Sequence, residues 1–379
     1  MNEPKNYERP EVALEDDGPE VPREAPVEGT YLASTEAAPL PSVLGEHWAW
    51  ASDLDWPDEK PARRKCLLHR PAEADGEESE QDFLPLGKVG MLVAAGGAGK
   101  TMALVQLAVS IIRGTPWLGY YPVPVAARGP VVLALAEEDA EETRRRLWAV
   151  REHMGAKTEE WREVLRQLVV LPLASVDVAL VTTDRHTRDT TRTAVLTELR
   201  ERLDGFGVDW RLVVLDPLSR WAGAETEIDN NAATRFVAAL ETLTQARGNP
   251  TVIVAHHSNK SARMGTGPND ATAARGASGL TDGVRWVATL GPHPTLDKMP
   301  ALSLVKSNYG PPAETRALER GEGGVLTIIS PDEEKERLMR QGPNSAKRKG
   351  DRKAPVSETM PRSAPRSASD EDEDWVNRA

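Results

Sequence analysis

The feature that most restricts this chain is a glycine-rich loop held between an apolar strand and a helix. Residues 89–105 read VGMLVAAGGAGKTMALV. Val89–Ala94 is an apolar run, and Lys100–Arg113 has apolar residues at helical spacing. The pattern G-x-x-x-x-G-K-[ST], after a strand and before a helix, is the phosphate-binding P-loop. Its second half is intact as Gly99-Lys100-Thr101, while Ala94 stands at the leading glycine position. Gly96, Gly97 and Gly99 give the backbone the freedom such a turn requires. The main chain of Ala95, Gly96, Gly97, Ala98, Gly99, Lys100, Thr101 and Met102 is expected to form a nest of N–H groups for anionic oxygens. The following helix directs its positive end at the same place. Lys100 is expected to reach β- and γ-phosphates, and Thr101 to offer its hydroxyl to Mg²⁺. ATP and Mg²⁺ are therefore the expected cofactors.

The rest of the chain has the texture that such a loop needs around it. Pro130–Ala136 (PVVLALA), Leu168–Leu173, Leu212–Leu215 and Thr251–Ala255 are further short apolar runs, with helical patterns at Glu141–Met154 and Ala232–Arg247. Continuously apolar strands alternating with helices predict an α/β fold with a mainly parallel twisted sheet covered on both faces. Val284–Leu290, Ala301–Lys306 and Val325–Ile329 follow at closer spacing, which predicts a strand-rich edge on the same sheet.

Composition sets the limits of that domain. Residues 1–40 are rich in Pro, Glu and Asp and are expected to be a disordered acidic tail. Residues 1–60 hold four Lys/Arg against fifteen Asp/Glu, so they carry nearly all of the net charge of −12. The remainder is close to neutral, which leaves room for a local basic surface. Residues 41–83 read as an irregular lead-in, with Trp48, Trp50 and Trp56 expected to pack on the core. The folded domain is expected at 84–331. Residues 332–379 read as a second tail, basic and then acidic: ten Lys/Arg against three acids over 335–366, and then DEDED. The basic part suits salt-sensitive DNA affinity, and the acidic tip suits competition with DNA or docking on a partner. A solubilising tail is the plainer reading. One cysteine, Cys66, excludes an intrachain disulfide. No apolar run reaches 18 residues, and the N-terminal segment has no secretory apolar stretch, so no membrane and a cytoplasmic location are expected.

Four further features fall where a P-loop domain needs them. Leu212–Asp216 (LVVLD) is an apolar strand ending in an acid, which suits a second Mg²⁺ ligand at Asp216. Glu137-Glu138-Asp139 ends the run Pro130–Ala136, expected to lie on the strand next to the P-loop strand. Glu137 is the preferred residue to orient a hydrolytic water and Glu138 its rival. The same cluster also suits an acidic helix N-terminus. His256-His257 follow Thr251–Ala255 at a strand tip, where a polar group can sense a γ-phosphate; strand alternation sends the two rings to opposite faces, which argues against shared metal ligation. Arg275, in the stretch RGASGLTD, suits an arginine finger supplied to a neighbouring subunit, with Lys306 in LVKSNYG a lesser candidate.

AAGGAGKT, LALAEED with RRRL, LVVLDPLSRW, VIVAHHSNK, AARGASGLTDGVRW and VKSNYGPP occur in that order. Together they resemble the RepA-type hexameric replicative helicases, RecA-like P-loop ATPases of plasmids and phages, over roughly residues 60–330. The resemblance implies a RecA-like domain acting as an ATP-dependent DNA helicase in replication. It implies catalytic roles for Glu137, Lys100, Arg275 and His257, and Mg²⁺ at Thr101 and Asp216. It also implies a ring, most often a hexamer, that moves on single-stranded DNA through loops near Arg220–Ala233 and Ser258–Ala274. Arg220, Lys260 and Arg263 are then the DNA-contact candidates, although Glu225, Glu227 and Asp229 suit phosphate contact poorly. Two other readings stay open: a RecA-like recombinase or filament, and a non-motor ATP-dependent adaptor or loader that recruits replication proteins through the tails.

Overall fold

The computed structural model describes residues 60, 62–71, 82–184, 186–258, 278–310 and 315–341. Trp48, Trp50, Trp56, Lys260, Arg263, Arg275 and the tails at 1–40 and 342–379 lie outside them. Contacts divide the chain after Ala62, and everything below belongs to the unit Arg63–Ala379.

The chain runs β1 (Cys66–His69), β2 (Asp82–Pro85), β3 (Val89–Ala94), α1 (Lys100–Arg113), β4 (Val131–Leu135), α2 (Ala140–His153), α3 (Thr158–Gln167) and β5 (Leu168–Pro172). It continues through β6 (Val181–Thr183), β7 (Thr190–Arg192), α4 (Ala194–Gly205), β8 (Leu212–Asp216), α5 (Leu218–Trp221), α6 (Asn230–Thr244) and β9 (Thr251–His257). The last elements are α7 (Ser278–Gly283), β10 (Trp286–Pro292), β11 (Pro300–Ser307), β12 (Arg316–Arg320), β13 (Leu326–Ile328) and α8 (Pro331–Gln341). Nine strands form one sheet in the order β13-β12-β11-β10-β3-β9-β8-β4-β5. The six strands from β10 to β5 run parallel, and β11, β12 and β13 extend the sheet antiparallel at one edge. The expected α/β P-loop sheet with a strand-rich edge is thus the observed one.

The apolar runs follow from burial on both faces. Leu92 and Ala94 of β3, Val131, Leu133 and Leu135 of β4, and Ile253 and Ala255 of β9 pack with α1 on one side. Their neighbours Met91, Val93, Val132, Ala134, Val252 and Val254 pack with α4 and α6 on the other. Alternation sends successive residues to opposite cores, so a strand with two covered faces is apolar throughout. Helix α1 is buried from Met102 to Ile112 and lies within the first core. It ends at Gly114, in the left-handed region at φ 73°, whose N–H closes onto Ser110 O.

Three expectations need correction. The lead-in at 41–83 is not irregular to its end: Cys66–His69 pairs antiparallel with Asp82–Pro85, and Leu67, Leu68, Phe83 and Leu84 join the core. The tail expected from 332 begins with α8, held by His293 Nε2 to Glu334 Oε1 at 3.0 Å and by Arg337 to Glu319 at 3.2 Å. Its apolar content is low, and polar contacts rather than an apolar stripe secure it. Finally, β4 is not the neighbour of β3; β9 and β8 lie between them. Helices α3 and α4 and the β6–β7 hairpin are further elements beyond those expected, and α3 is amphipathic, burying Trp161 and Val164.

Candidate functional site

The carboxyl ends of β3, β9, β8 and β4 lie in register along one edge of the sheet. Ala94 pairs with His257, and Leu135 with Asp216. The carboxyl edge of an open α/β sheet is where such folds bind ligands.

The loop Ala95–Gly99 turns from β3 into α1. A Cβ at Gly96 or Gly97 would meet no heavy atom within 4 Å, so the loop's mouth is open. Gly99 caps α1 in the left-handed region at φ 101°, where a Cβ would also press on Arg320 and Leu326 at 3.1 and 3.2 Å. Only glycine fits there without strain. The N–H of Ala98 donates to Ala95 O at 3.1 Å, so that amide closes the turn. Met102 is 2% exposed and packs in the core, so only its main chain faces the loop.

At the start of α1, the Thr101 hydroxyl donates to Asp216 Oδ2 at 2.6 Å. Lys100 and Asp216 are both buried. Burial pushes the Asp216 carboxyl above the usual carboxylate range, and the Lys100 ammonium and Thr101 hydroxyl oppose it. Burial pulls the Lys100 ammonium below the ordinary lysine value, against Asp216 and then Glu137. Both displacements have one cause, which is a pocket poor in solvent. An oxygen pair next to a buried ammonium and an open amide loop fits the requirements of a metal–triphosphate ligand.

Glu137 and Glu138 take different environments although they are adjacent. Glu138 is gripped by Arg146, with Nε to Oε2 at 2.8 Å and a second nitrogen to Oε1 at 2.6 Å. Burial raises its pKa, against the Arg146 bond. The Glu137 side chain is 49% exposed, 3.8 Å from Arg220 Nε, and within electrostatic reach of Lys100, Asp216 and His257. It enters the crevice from β4, two strands beyond the neighbour of β3. The Ala136 N–H donates to Asp216 O at 2.8 Å and carries the chain across the tip of β8. Asp139 caps α2 by accepting from Glu142 N–H at 2.8 Å, so the acidic triplet serves both the crevice and the helix.

His257 sits at the tip of β9, and its imidazole pKa is lowered by burial and by Lys100. His256 points the other way; it is 1% exposed and lies 4.0 Å from Glu227. Lys306 donates to Thr281 O and Asp282 O at 2.7 and 2.8 Å and so holds the C-terminal end of α7 in its own chain. Arg275, Lys260 and Arg263 lie outside the described residues.

One residue at the loop escaped the sequence reading. Arg320, at the end of β12, donates to Gly97 O at 3.1 Å. Behind it, Gln106 of α1 bonds both main-chain groups of Leu326, donating to its O and accepting from its N–H, each at 2.8 Å. The β12–β13 hairpin thus braces the P-loop from outside. No local signal marks Arg320, because its role comes from sheet order across more than two hundred residues.

Among the described residues, no helix is long and apolar enough to cross a membrane. Residues 70–263, just over half of the chain, match the family model described as AAA domain, and the match contains the P-loop, the acidic triplet, Asp216 and both histidines.

Proposed function

The chain belongs to the AAA-domain family of P-loop ATPases, a family found in helicase-like proteins, and on that premise we propose that it is a RepA-type, ring-forming DNA helicase or translocase driven by ATP. The observation that carries the motor chemistry is the 2.6 Å bond between Thr101 and Asp216 beside the buried Lys100. The order of the six motifs supports the assignment to DNA.

In this reading Lys100 and the loop amides hold the β- and γ-phosphates, and Thr101 and Asp216 hold Mg²⁺. Bound Mg²⁺ supplies neutralisation of charge on the transferring phosphoryl group. Glu137 orients the attacking water, because its carboxylate is open to the crevice while that of Glu138 is committed to Arg146. His257, at the tip of the strand between β3 and β8, senses the γ-phosphate. Arg275 completes a neighbouring subunit's site within a hexamer. Single-stranded DNA contacts Lys260, Arg263 and Arg220. Arg220 is the ion-pair partner of Glu137, so a DNA phosphate that takes Arg220 releases the hydrolytic carboxylate. The tails recruit replication proteins.

The test is ATP turnover with and without single-stranded DNA, alongside native mass and unwinding of a forked duplex. The proposal expects closed oligomers, turnover stimulated by DNA, and strand separation. Stimulation without unwinding leaves a DNA-dependent ATPase, and open filaments point to a recombinase-like assembly. Slow turnover indifferent to DNA points to an adaptor or loader.

A further inference from the structure

We propose that Cys66, His69 and Asp82 form a binding site for one divalent transition-metal ion, with Zn²⁺ its natural occupant. The three residues belong to the β1–β2 hairpin, where register pairs His69 with Asp82 and Cys66 with Pro85. In a regular strand, residues three apart face opposite sides. Here the register shifts between Cys66 and Leu68 and again between Leu68 and His69, and such irregularities re-aim side chains. The outcome is convergence: one ligand atom from each of the three residues lies within 4.8 Å of the other two.

The chemistry selects the ion. A thiolate, an imidazole and a carboxylate are the donors of Zn²⁺ sites, with metal–ligand distances of about 2.0–2.3 Å. Tetrahedral geometry at those lengths puts ligand atoms about 3.3–3.8 Å apart, so the cluster needs to close by roughly 1 Å. Side-chain rotation supplies that, and solvent fills the fourth position. Sulfur in the set disfavours Mg²⁺ and Ca²⁺, which distinguishes this site from the oxygen pair Thr101–Asp216.

The surroundings decide how the ion enters: burial pushes the Cys66 thiol up to about 12, so metal binding has to displace its proton. Cys66 is 4% exposed, and Asp82 Oδ1 is buried with no hydrogen-bond partner. A buried carboxylate oxygen without a donor is costly. Arg63 Nε stands 3.7 Å from Oδ1 and Arg64 3.9 Å from Oδ2, and the two arginine side chains are 53% and 41% exposed. Arg63 can turn to water when a metal ion arrives, while Arg64 already lies over the Tyr309 ring, 3.8 Å from its centroid. The bound ion would staple a hairpin that feeds the P-loop strand: Thr251 of β9 donates to Pro85 O at 2.9 Å and accepts from Gly87 N–H at 3.2 Å. The site stands independently of the helicase reading.

The test uses the full chain, stripped with chelator and titrated with Co²⁺ as the spectroscopic probe. The expected result is one Co²⁺ per chain, a near-ultraviolet thiolate-to-cobalt charge-transfer band, and tetrahedral visible bands that Zn²⁺ abolishes and excess Mg²⁺ does not. Cys66→Ser should lose the charge-transfer band, and His69→Ala and Asp82→Asn should each weaken Co²⁺ binding by at least about tenfold. Far-ultraviolet circular dichroism identifies any variant that fails to fold. A folded wild type that shows no such band overturns the proposal, and so does a titration unchanged in both His69→Ala and Asp82→Asn.

Discussion

Replacing Arg320 with alanine isolates the brace on the P-loop from the chemistry inside it. The guanidinium donates to Gly97 O at 3.1 Å. A hydrogen bond with one charged partner is worth about 1.5–3 kcal/mol when sheltered. Arg320 is exposed, so solvent screening reduces this to about 1 kcal/mol. The two bonds from Gln106 to Leu326 remain, so the hairpin keeps its place. The loss therefore falls on the ordering of the loop when triphosphate binds. At about 1.4 kcal/mol per factor of ten, the dissociation constant for a fluorescent ATP analogue with Mg²⁺ should rise roughly fivefold. Turnover at saturation should change by less than about twofold, because no reacting atom loses a contact. Arg320→Lys should recover part of the affinity through the charge alone. Unchanged affinity would refute the brace. A fall in saturated turnover of a hundredfold or more would refute it differently, by showing that Arg320 touches the transferring phosphoryl group.

Three other substitutions probe separate parts of the site. Glu137→Gln should retain nucleotide binding while turnover falls by about 10²–10⁴, and Glu138→Gln should cost much less; rapid-quench hydrolysis distinguishes them, and the reverse ranking would assign the water to Glu138. Gln106→Leu leaves the buried N–H and C=O of Leu326 unpaired, at about 1–3 kcal/mol each, so urea unfolding should show about 2–5 kcal/mol of lost stability, and a loss below 1 kcal/mol would contradict the accounting. Glu138 also predicts a pH dependence. Its folded pKa lies above its unfolded one because of burial, so its stabilising contribution is complete below the unfolded value and is lost as pH rises through the folded value. Thermal midpoints of wild type minus Glu138→Gln should decline across that window, and a flat or rising difference would reject the assignment.

The parts of the molecule legible in sequence are those whose physics is local. Val89–Thr101 encodes strand, turn and helix within thirteen residues, and its amide nest requires no distant partner. The apolar runs of β4, β8 and β9 were legible because burial on both faces removes polar alternation. What stayed hidden depends on pairing. The strand order that separates β4 from β3 leaves no local trace, and neither does the reach of Arg320 to Gly97. Helix α8 was read as tail because PDEEKERLMRQ carries little apolar surface, while its anchor, the Glu334 carboxylate on His293, joins segments forty-one residues apart.

The displaced position of β4 alters how the candidate hydrolytic carboxylate, Glu137, reaches the loop. Adjacent strands would have delivered Glu137 to the loop by sheet geometry alone. With β9 and β8 between, delivery depends on the step from Leu135 to Glu137, where the Ala136 N–H bonds Asp216 O at 2.8 Å and ties the acidic triplet to the strand bearing the Mg²⁺ candidate. Glu137 is then fixed on one side by that main-chain bond and on the other only by an exposed ion pair with Arg220 at 3.8 Å. Exposed pairs of this kind are worth at most about 1 kcal/mol. The backbone of the candidate base is therefore rigidly placed while its side chain is easily redirected, and Arg220 on α5, directly after Asp216 and Pro217, is the group able to redirect it. If Glu137 orients the hydrolytic water, a site built this way would couple whatever binds Arg220 to hydrolysis without moving the P-loop.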